Sequence, residues 1–301
     1  MKKFIKKIII FATIFIALAV IFEFFVFPYN NNQMGLKYDL LHKKDTEILV
    51  LGNSHSFFGI NPEVSQYRMI NVANKGRKLS TDYELLKAYQ SQLPNLQYVI
   101  VPISQYSLLS DTIDTQEKRL YYRFFRLDAY KQNGFKNYLL CNEPFRELVD
   151  NMLFGNKQNH NQEVSDLGWH PSRKNYKDPI EIVQARIEQL EGKPTEQKKL
   201  LQKNVQLLND FASLQQNHTY KIVYITPPYH PDYYANSDAN YHTYLSELLM
   251  NIASENKNVL YIDGKSLNLT KDTYYTDSDH LNVLGAHTYT KKIDSILNTD
   301  K

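Results

Sequence analysis

Five short apolar runs, each closed by a turn and most followed by helical spacing, constrain this chain more than any other feature. They are Glu47–Leu51, Met69–Ala73, Tyr98–Ile103, Lys221–Thr226 and Val259–Ile262. Runs this short and this uniformly apolar read as strands buried on both faces. Between them, Thr81 to Leu93 places Leu85, Leu86 and Tyr89 on one helical face. Ser80 or Thr81 is the expected N-cap there, and Pro94 closes it. Tyr241–Glu255 and Leu284–Leu297 read as further helices. Strands alternating with helices predict an α/β fold: a three-layer α/β/α sandwich on a mostly parallel, five-stranded, flavodoxin-like sheet. No internal repeat interrupts this pattern.

The pattern changes between about residues 105 and 215. Tyr121 to Arg126 is aromatic and basic, Phe145 to Phe154 is helical in spacing, and Asn156 to Lys177 is polar without a clear period. Ile180–Leu190 and Gln197–Leu214 are amphipathic. The expected organisation is one domain over 45–301 carrying a helical insertion at 105–215, which could cap a site. The Tyr/Arg stretch is either an ordinary helix with an aromatic core face or a wall of a substrate cleft.

The N-terminus is of another kind. Lys2, Lys3, Lys6 and Lys7 precede an apolar run from Ile8 to Phe27, interrupted only by Thr13 and Glu23. About twenty helical residues span roughly 30 Å, the hydrocarbon thickness of a bilayer. Residues 1–27 are therefore expected to be a transmembrane signal anchor, with the lysines cytoplasmic and the rest extracytoplasmic. A cleaved signal peptide is the rival, with Ala17-Leu18-Ala19 as small residues. Val20-Ile21-Phe22 beyond it stays apolar, which favours the anchor. Residues 28–44 are expected to be a polar linker.

Composition then excludes several classes. The first thirty residues hold four lysines and one glutamate, net +3, which equals the formal charge of the whole chain. The remainder is neutral, so the basicity belongs to the membrane segment and no nucleic-acid partner is expected. The single cysteine, Cys141, rules out an internal disulfide and a thiolate metal site, and it reads as a small buried hydrophobe. No metal or cofactor is expected. The 23 tyrosines either reflect the base composition of the source genome or suit loops that meet polar ligands such as sugars.

Two motifs at opposite ends carry chemistry. Gly52-Asn53-Ser54-His55-Ser56 follows the first strand, and Asp277-Ser278-Asp279-His280 precedes the last helix. A serine hydroxyl needs a base within hydrogen-bond reach, histidine titrates near neutrality, and a carboxylate fixes its tautomer. Ser54 is the expected nucleophile, His280 the base and Asp277 its orienting acid. Ser56 is the weaker nucleophile. Asp279 competes with Asp277 or caps the following helix. His55 reads as structural or as a substrate ligand, and His230 as a solvated loop residue that could touch substrate.

These residues resemble the SGNH/GDSL hydrolase superfamily. Gly52-Asn53-Ser54 resembles its first block, with Asn53 where Asp is common. Asn71 to Gly76 resembles the second, and Asp277-x-x-His280 the last. The likeness covers roughly residues 45–110 and 218–298. It implies that the backbone N–H groups of Ser54 and Gly76 hold an oxyanion. The third block departs from the pattern: the strand ending at Ile103 runs into Ser104-Gln105-Tyr106, without the usual asparagine. Ser104 or Gln105 could donate in its place. The resemblance implies a serine esterase or O-acetyltransferase acting on an acylated cell-surface glycan or related ester, with a multi-pass membrane protein as a possible acyl donor. The alternative is a non-enzymatic binding or assembly protein of surface polysaccharide biosynthesis with a degenerate site.

Overall fold

A computed structural model describes residues 1–21, 23, 32–131, 164–191, 198–214 and 219–300. Cys141 and the expected helix at 145–154 lie outside them. Five strands form one sheet: β1 Ile48–Val50, β2 Met69–Asn71, β3 Tyr98–Pro102, β4 Lys221–Ile225 and β5 Val259–Ile262. Their order is β2-β1-β3-β4-β5 and every pairing is parallel. The α/β class and the five-stranded sheet match expectation, and the sheet is wholly parallel rather than mostly so. β1 to β4 end a residue or two short of their apolar runs, and β5 matches its run. Ladder-like bonds continue past them, with Val72 N–H donating to Val50 O at 2.9 Å and Ile103 N–H to Ile225 O at 2.9 Å.

Period-two alternation sends the side chains to two layers. Ile48, Val50, Tyr98, Ile100, Val223, Ile225 and Ile262 pack with Tyr289, Ile293 and Leu297 of the closing helix, Val283–Thr299. The alternate residues face other helices. Tyr224 donates its hydroxyl to Leu208 O at 2.6 Å, within the helix Lys198–Leu214. Phe211 of that helix meets Tyr83 of the helix Leu79–Tyr89 edge to face at 5.3 Å. The latter helix starts two residues earlier than expected and has no side-chain cap. Ser80, the expected cap, donates to Asp111 instead.

The described residues fall into two compact units, 39–112 with 164–300, and 1–38 with 113–131. The second contains the helix Lys2–Ile21, whose residues are all exposed and which is long and apolar enough to cross a membrane as an anchor or a signal sequence. Glu23, just beyond it, pairs with Arg123 of the helix Thr115–Phe125. On that helix Tyr121 stacks near Phe125 and Tyr130, an aromatic packing face. Asn32–Leu40, within the expected polar linker, is helical.

Candidate active site

Everything that converges on Ser54 lies beyond the C-terminal ends of strands, where open parallel sheets bind ligands. β1 sits where the order reverses, with β2 on one side and β3 on the other. The chain leaves β1 through Gly52, at φ +111°. A Cβ there would meet Pro102 Cγ at 2.1 Å, so only glycine lets the turn pass β3. The Gly52 N–H donates to Asp82 Oδ1 at 3.1 Å. Burial pushes that carboxyl up to about 6, against the pull of the nearby Arg77 charge and the Gly52 N–H.

Ser54 then opens the short helix α1 (here the site helix, Ser54–Gly59). Asn53 caps it, its Oδ1 accepting from His55 N–H at 3.1 Å. The buried Asn71, at the end of β2, fixes the other end. Its Nδ2 donates to Ser56 O and Ile60 O, each at 2.8 Å. The helix is thereby tied to two strands, and Ser54 stays partly accessible at its start.

His280 comes from the opposite end of the chain. Asp277 Oδ1 accepts from the backbone N–H groups of Asp279 at 3.1 Å and His280 at 2.8 Å, closing a turn on its own side chain. The same carboxylate takes the His280 Nδ1–H at 2.9 and 3.0 Å. That leaves Nε2 to accept from the Ser54 hydroxyl at 2.8 Å. Serine, imidazole and carboxylate thus stand in series across 226 residues of sequence separation. Such a series can take a proton from the hydroxyl and stabilise the resulting imidazolium. Ser56 is buried and its hydroxyl has no hydrogen-bond partner among the described residues.

A second layer lies behind the imidazole. Asp279 is 1% exposed and does not cap the closing helix, a task that Asn282 performs through Gly285 N–H. Instead Arg186, of the helix Ile180–Glu191, holds both Asp279 oxygens at 3.0 and 2.9 Å. Burial would raise the Asp279 pKa, but the His280, His55 and Arg186 charges and hydrogen bonds outweigh it and hold the carboxyl well below its usual range. Asp279 Oδ1 also lies 3.6 Å from His280 Nδ1. Burial alone would lower the His280 pKa. The charge of Asp279 and the hydrogen bond donated to Asp277 reverse this, and the pKa sits above its ordinary value.

His55 stacks on His280, with ring centroids 5.2 Å apart. Its Nδ1–H faces Asn53 Oδ1 at 3.1 Å and its Nε2 lies 3.5 Å from Asp279 Oδ2. Burial lowers its pKa, against the pull of the neighbouring Asp279 carboxylate. His55, Asp279 and His280 lie close enough to hold a cation. Both Asp279 oxygens are already taken by the Arg186 guanidinium, however, so this donor set does not suit a metal. His230 is not solvated: it is 3% exposed, caps the helix Pro231–Asn236 through Asp232 N–H, and stacks on Tyr176 at 3.8 Å.

The groups expected near an oxyanion divide. The Ser54 and Gly76 N–H groups have no hydrogen-bond partner among the described residues, and Gly76 adopts φ +69°. Asn74, beside it, is tied to the β1 end by its N–H to Gly52 O at 2.9 Å. Ser104 is occupied otherwise. It caps the helix Gln105–Leu109 in a reciprocal box with Ser107. Gln105 lines a cavity of about 360 Å³ with Thr226, Tyr229 and His242. The His55 stack joins the two motifs only once the fold brings them together, and Arg186 has no sequence signal, because its helix lies outside both motifs. The same holds for Trp169, whose indole N–H donates to Phe58 O at 2.8 Å.

No protein-family model matches the sequence, and no curated protein is significantly similar to it. Solved structures align with it at low identity. A proposed platelet activating factor from Streptococcus pneumonia is 13% identical, with TM-score 0.45, covering 93% of this chain and 99% of that one. A proposed acylhydrolase from Bacteroides fragilis is 11% identical, with TM-score 0.42, covering 86% and 89%. A proposed arylesterase from Agrobacterium tumefaciens is 12% identical, with TM-score 0.35, covering 84% and 99%. At such scores these likenesses carry nothing about the chemistry of this chain.

Proposed function

We propose that this chain is an SGNH-type serine esterase or O-acyltransferase that works by acyl transfer through Ser54. One observation carries the reading: the Ser54 hydroxyl lies 2.8 Å from His280 Nε2, whose Nδ1–H is held by Asp277. In the first step Ser54 Oγ bonds to the ester carbonyl carbon and its proton passes to His280 Nε2. The carbonyl oxygen becomes an oxyanion, held by the N–H groups of Ser54 and Gly76. Collapse breaks the bond to the alcohol oxygen, which leaves with the proton from His280. Water or an acceptor hydroxyl then gives its proton to His280, attacks the acyl-serine, and restores Ser54. Gln105 is the remaining side-chain candidate for a third donor, because the Ser104 hydroxyl is held in its helix cap.

The helix Lys2–Ile21 favours a membrane-attached role. With its lysines cytoplasmic, the domain faces outward, where an acylated cell-surface glycan is the proposed substrate. A multi-pass membrane protein is the proposed acyl donor if the acceptor is a hydroxyl rather than water. The capped Ser104 favours a second reading, a binding or assembly protein of surface polysaccharide formation, since losing an oxyanion donor typically costs about 100- to 1000-fold. The test is fluorophosphonate labelling and 4-nitrophenyl acetate turnover by the full-length protein in detergent, beside Ser54→Ala and His280→Ala. Labelling at Ser54 with turnover lost in both variants supports the enzyme. Absent labelling and turnover in folded wild type favours the binding role.

A further inference from the structure

Three cations follow Asn74 within four residues: Lys75, Arg77 and Lys78. Among the described residues only Arg77 of the three has a carboxylate, Asp82 Oδ1 at 3.5 Å. Lys78 donates to the Tyr106 hydroxyl and to Ser110 Oγ at 2.8 Å, and Tyr106 in turn donates to Gly76 O at 3.3 Å. This ammonium therefore braces the turn that holds Gly76.

Lys75 does something else. Its ammonium lies over the Phe58 ring at 5.1 Å and the Phe57 ring at 5.8 Å. The Phe58 ring also meets the His280 imidazole edge to face at 5.4 Å. One ring thus separates the ammonium from the catalytic base, and Lys75 immediately precedes the Gly76 N–H. No carboxylate pairs with Lys75 or with Lys174 among the described residues. Partial burial, followed by repulsion from Lys174, lowers the Lys75 pKa. An ammonium seated over the Phe58 ring beside the site, with no acid paired to it, is placed to take an anion as its counter-charge.

We propose that the Lys75 ammonium forms an anion-recognition patch beside the Ser54–His280 pair, so that the ester taken by this site carries a carboxylate or phosphate close to its scissile bond. This rests on the acyl-transfer reading and narrows its substrate class to acidic esters. An acidic glycan and a phosphate-bearing polymer share that chemistry.

The test uses the full-length protein in neutral detergent, with Lys75→Gln and Lys75→Glu. Three aryl acetates are compared by kcat/KM: one uncharged, one with a ring carboxylate and one with a ring phosphate. The expected wild-type preference for a charged ester is about fivefold at low salt, the size of one partly screened ion pair. It shrinks as salt rises. Lys75→Gln reduces the ratio, and Lys75→Glu inverts it. The charged ester that is preferred identifies the source. A wild-type ratio of one, or a ratio unmoved in Lys75→Glu, overturns the proposal. Binding of benzoate and phenyl phosphate, with phenol as control, is read by saturation-transfer NMR on the same proteins. If no ester turns over, acyl transfer fails and this titration decides the patch: anion binding lost in Lys75→Glu supports it, and no anion binding in wild type overturns it.

Discussion

Arg186 holds both carboxylate oxygens of Asp279, Nε to Oδ1 at 3.0 Å and Nη2 to Oδ2 at 2.9 Å. The guanidinium is about a third exposed while the carboxylate is buried. Removing a partner from a fully buried pair costs about 3–5 kcal/mol, and solvent at the arginine reduces that. Arg186→Ala is expected to lower unfolding stability by about 2 kcal/mol. Arg186→Lys is expected to fall between, since an ammonium keeps the charge but not the fork. Urea unfolding with an unchanged m-value checks both.

Gly52 is a position where the fold leaves no room for a side chain. An added methyl would sit 2.1 Å from Pro102 Cγ and 2.5 Å from Pro102 Cδ, on a ring that cannot swing away, at a backbone angle that L-residues rarely adopt. Gly52→Ala is expected to cost about 3–5 kcal/mol or to abolish folding. Circular dichroism melting of the variant measures it. A melting temperature equal to wild type would show that β1 and β3 are spaced more loosely than described.

These two positions show what was legible in the sequence. The strands were readable because burial on both faces writes an apolar run into consecutive residues. Asp277 and His280 were readable because their turn is local: one carboxylate binds two backbone N–H groups and the imidazole within four residues. Arg186 was not, because its partner lies 93 residues away and an arginine on an amphipathic helix looks solvated. His230 was misjudged for a similar reason. Its neighbours in sequence are prolines, whereas its burial comes from Tyr176 and Tyr275. Ser80 and Thr81 were plausible caps by type. The helix begins earlier, and Ser80 turns to Asp111 from another segment.

Ser104 separates a structural role from a catalytic one. Its hydroxyl accepts from Ser107 N–H at 3.3 Å, and its own N–H donates to Ser107 Oγ at 3.2 Å. Ser104→Ala is expected to cost about 1 kcal/mol of stability through the lost cap, with kcat reduced less than tenfold. An oxyanion donor would instead lose about 100- to 1000-fold in kcat. Steady-state turnover of the folded variant, set beside its unfolding curve, distinguishes the two.

In the proposed acyl transfer, the acid limb of the activity profile reports the His280 surroundings. His280 accepts the serine proton only when neutral, so kcat/KM is expected to rise with pH and to reach half its plateau above 6.5, the ordinary histidine value. Asp277 contributes both a hydrogen bond and a charge to the imidazolium. Asp277→Asn is therefore expected to move the midpoint down and to lower the plateau about 1000- to 10,000-fold. The shift is partial, because Asp279 still lies 3.6 Å from Nδ1. The sign for stability is opposite to that for activity. A histidine pKa raised by folding stabilises fully below the unfolded value, and that contribution is lost as pH rises through the folded one. The protein is thus expected to gain activity and lose this part of its stability over the same interval. Asp277→Asn reduces that stability change along with the midpoint. Rate profiles and urea midpoints measured together from pH 5 to pH 9, roughly the range in which a shifted histidine titrates, check the pair. A midpoint unmoved in Asp277→Asn would place the controlling proton elsewhere than on His280.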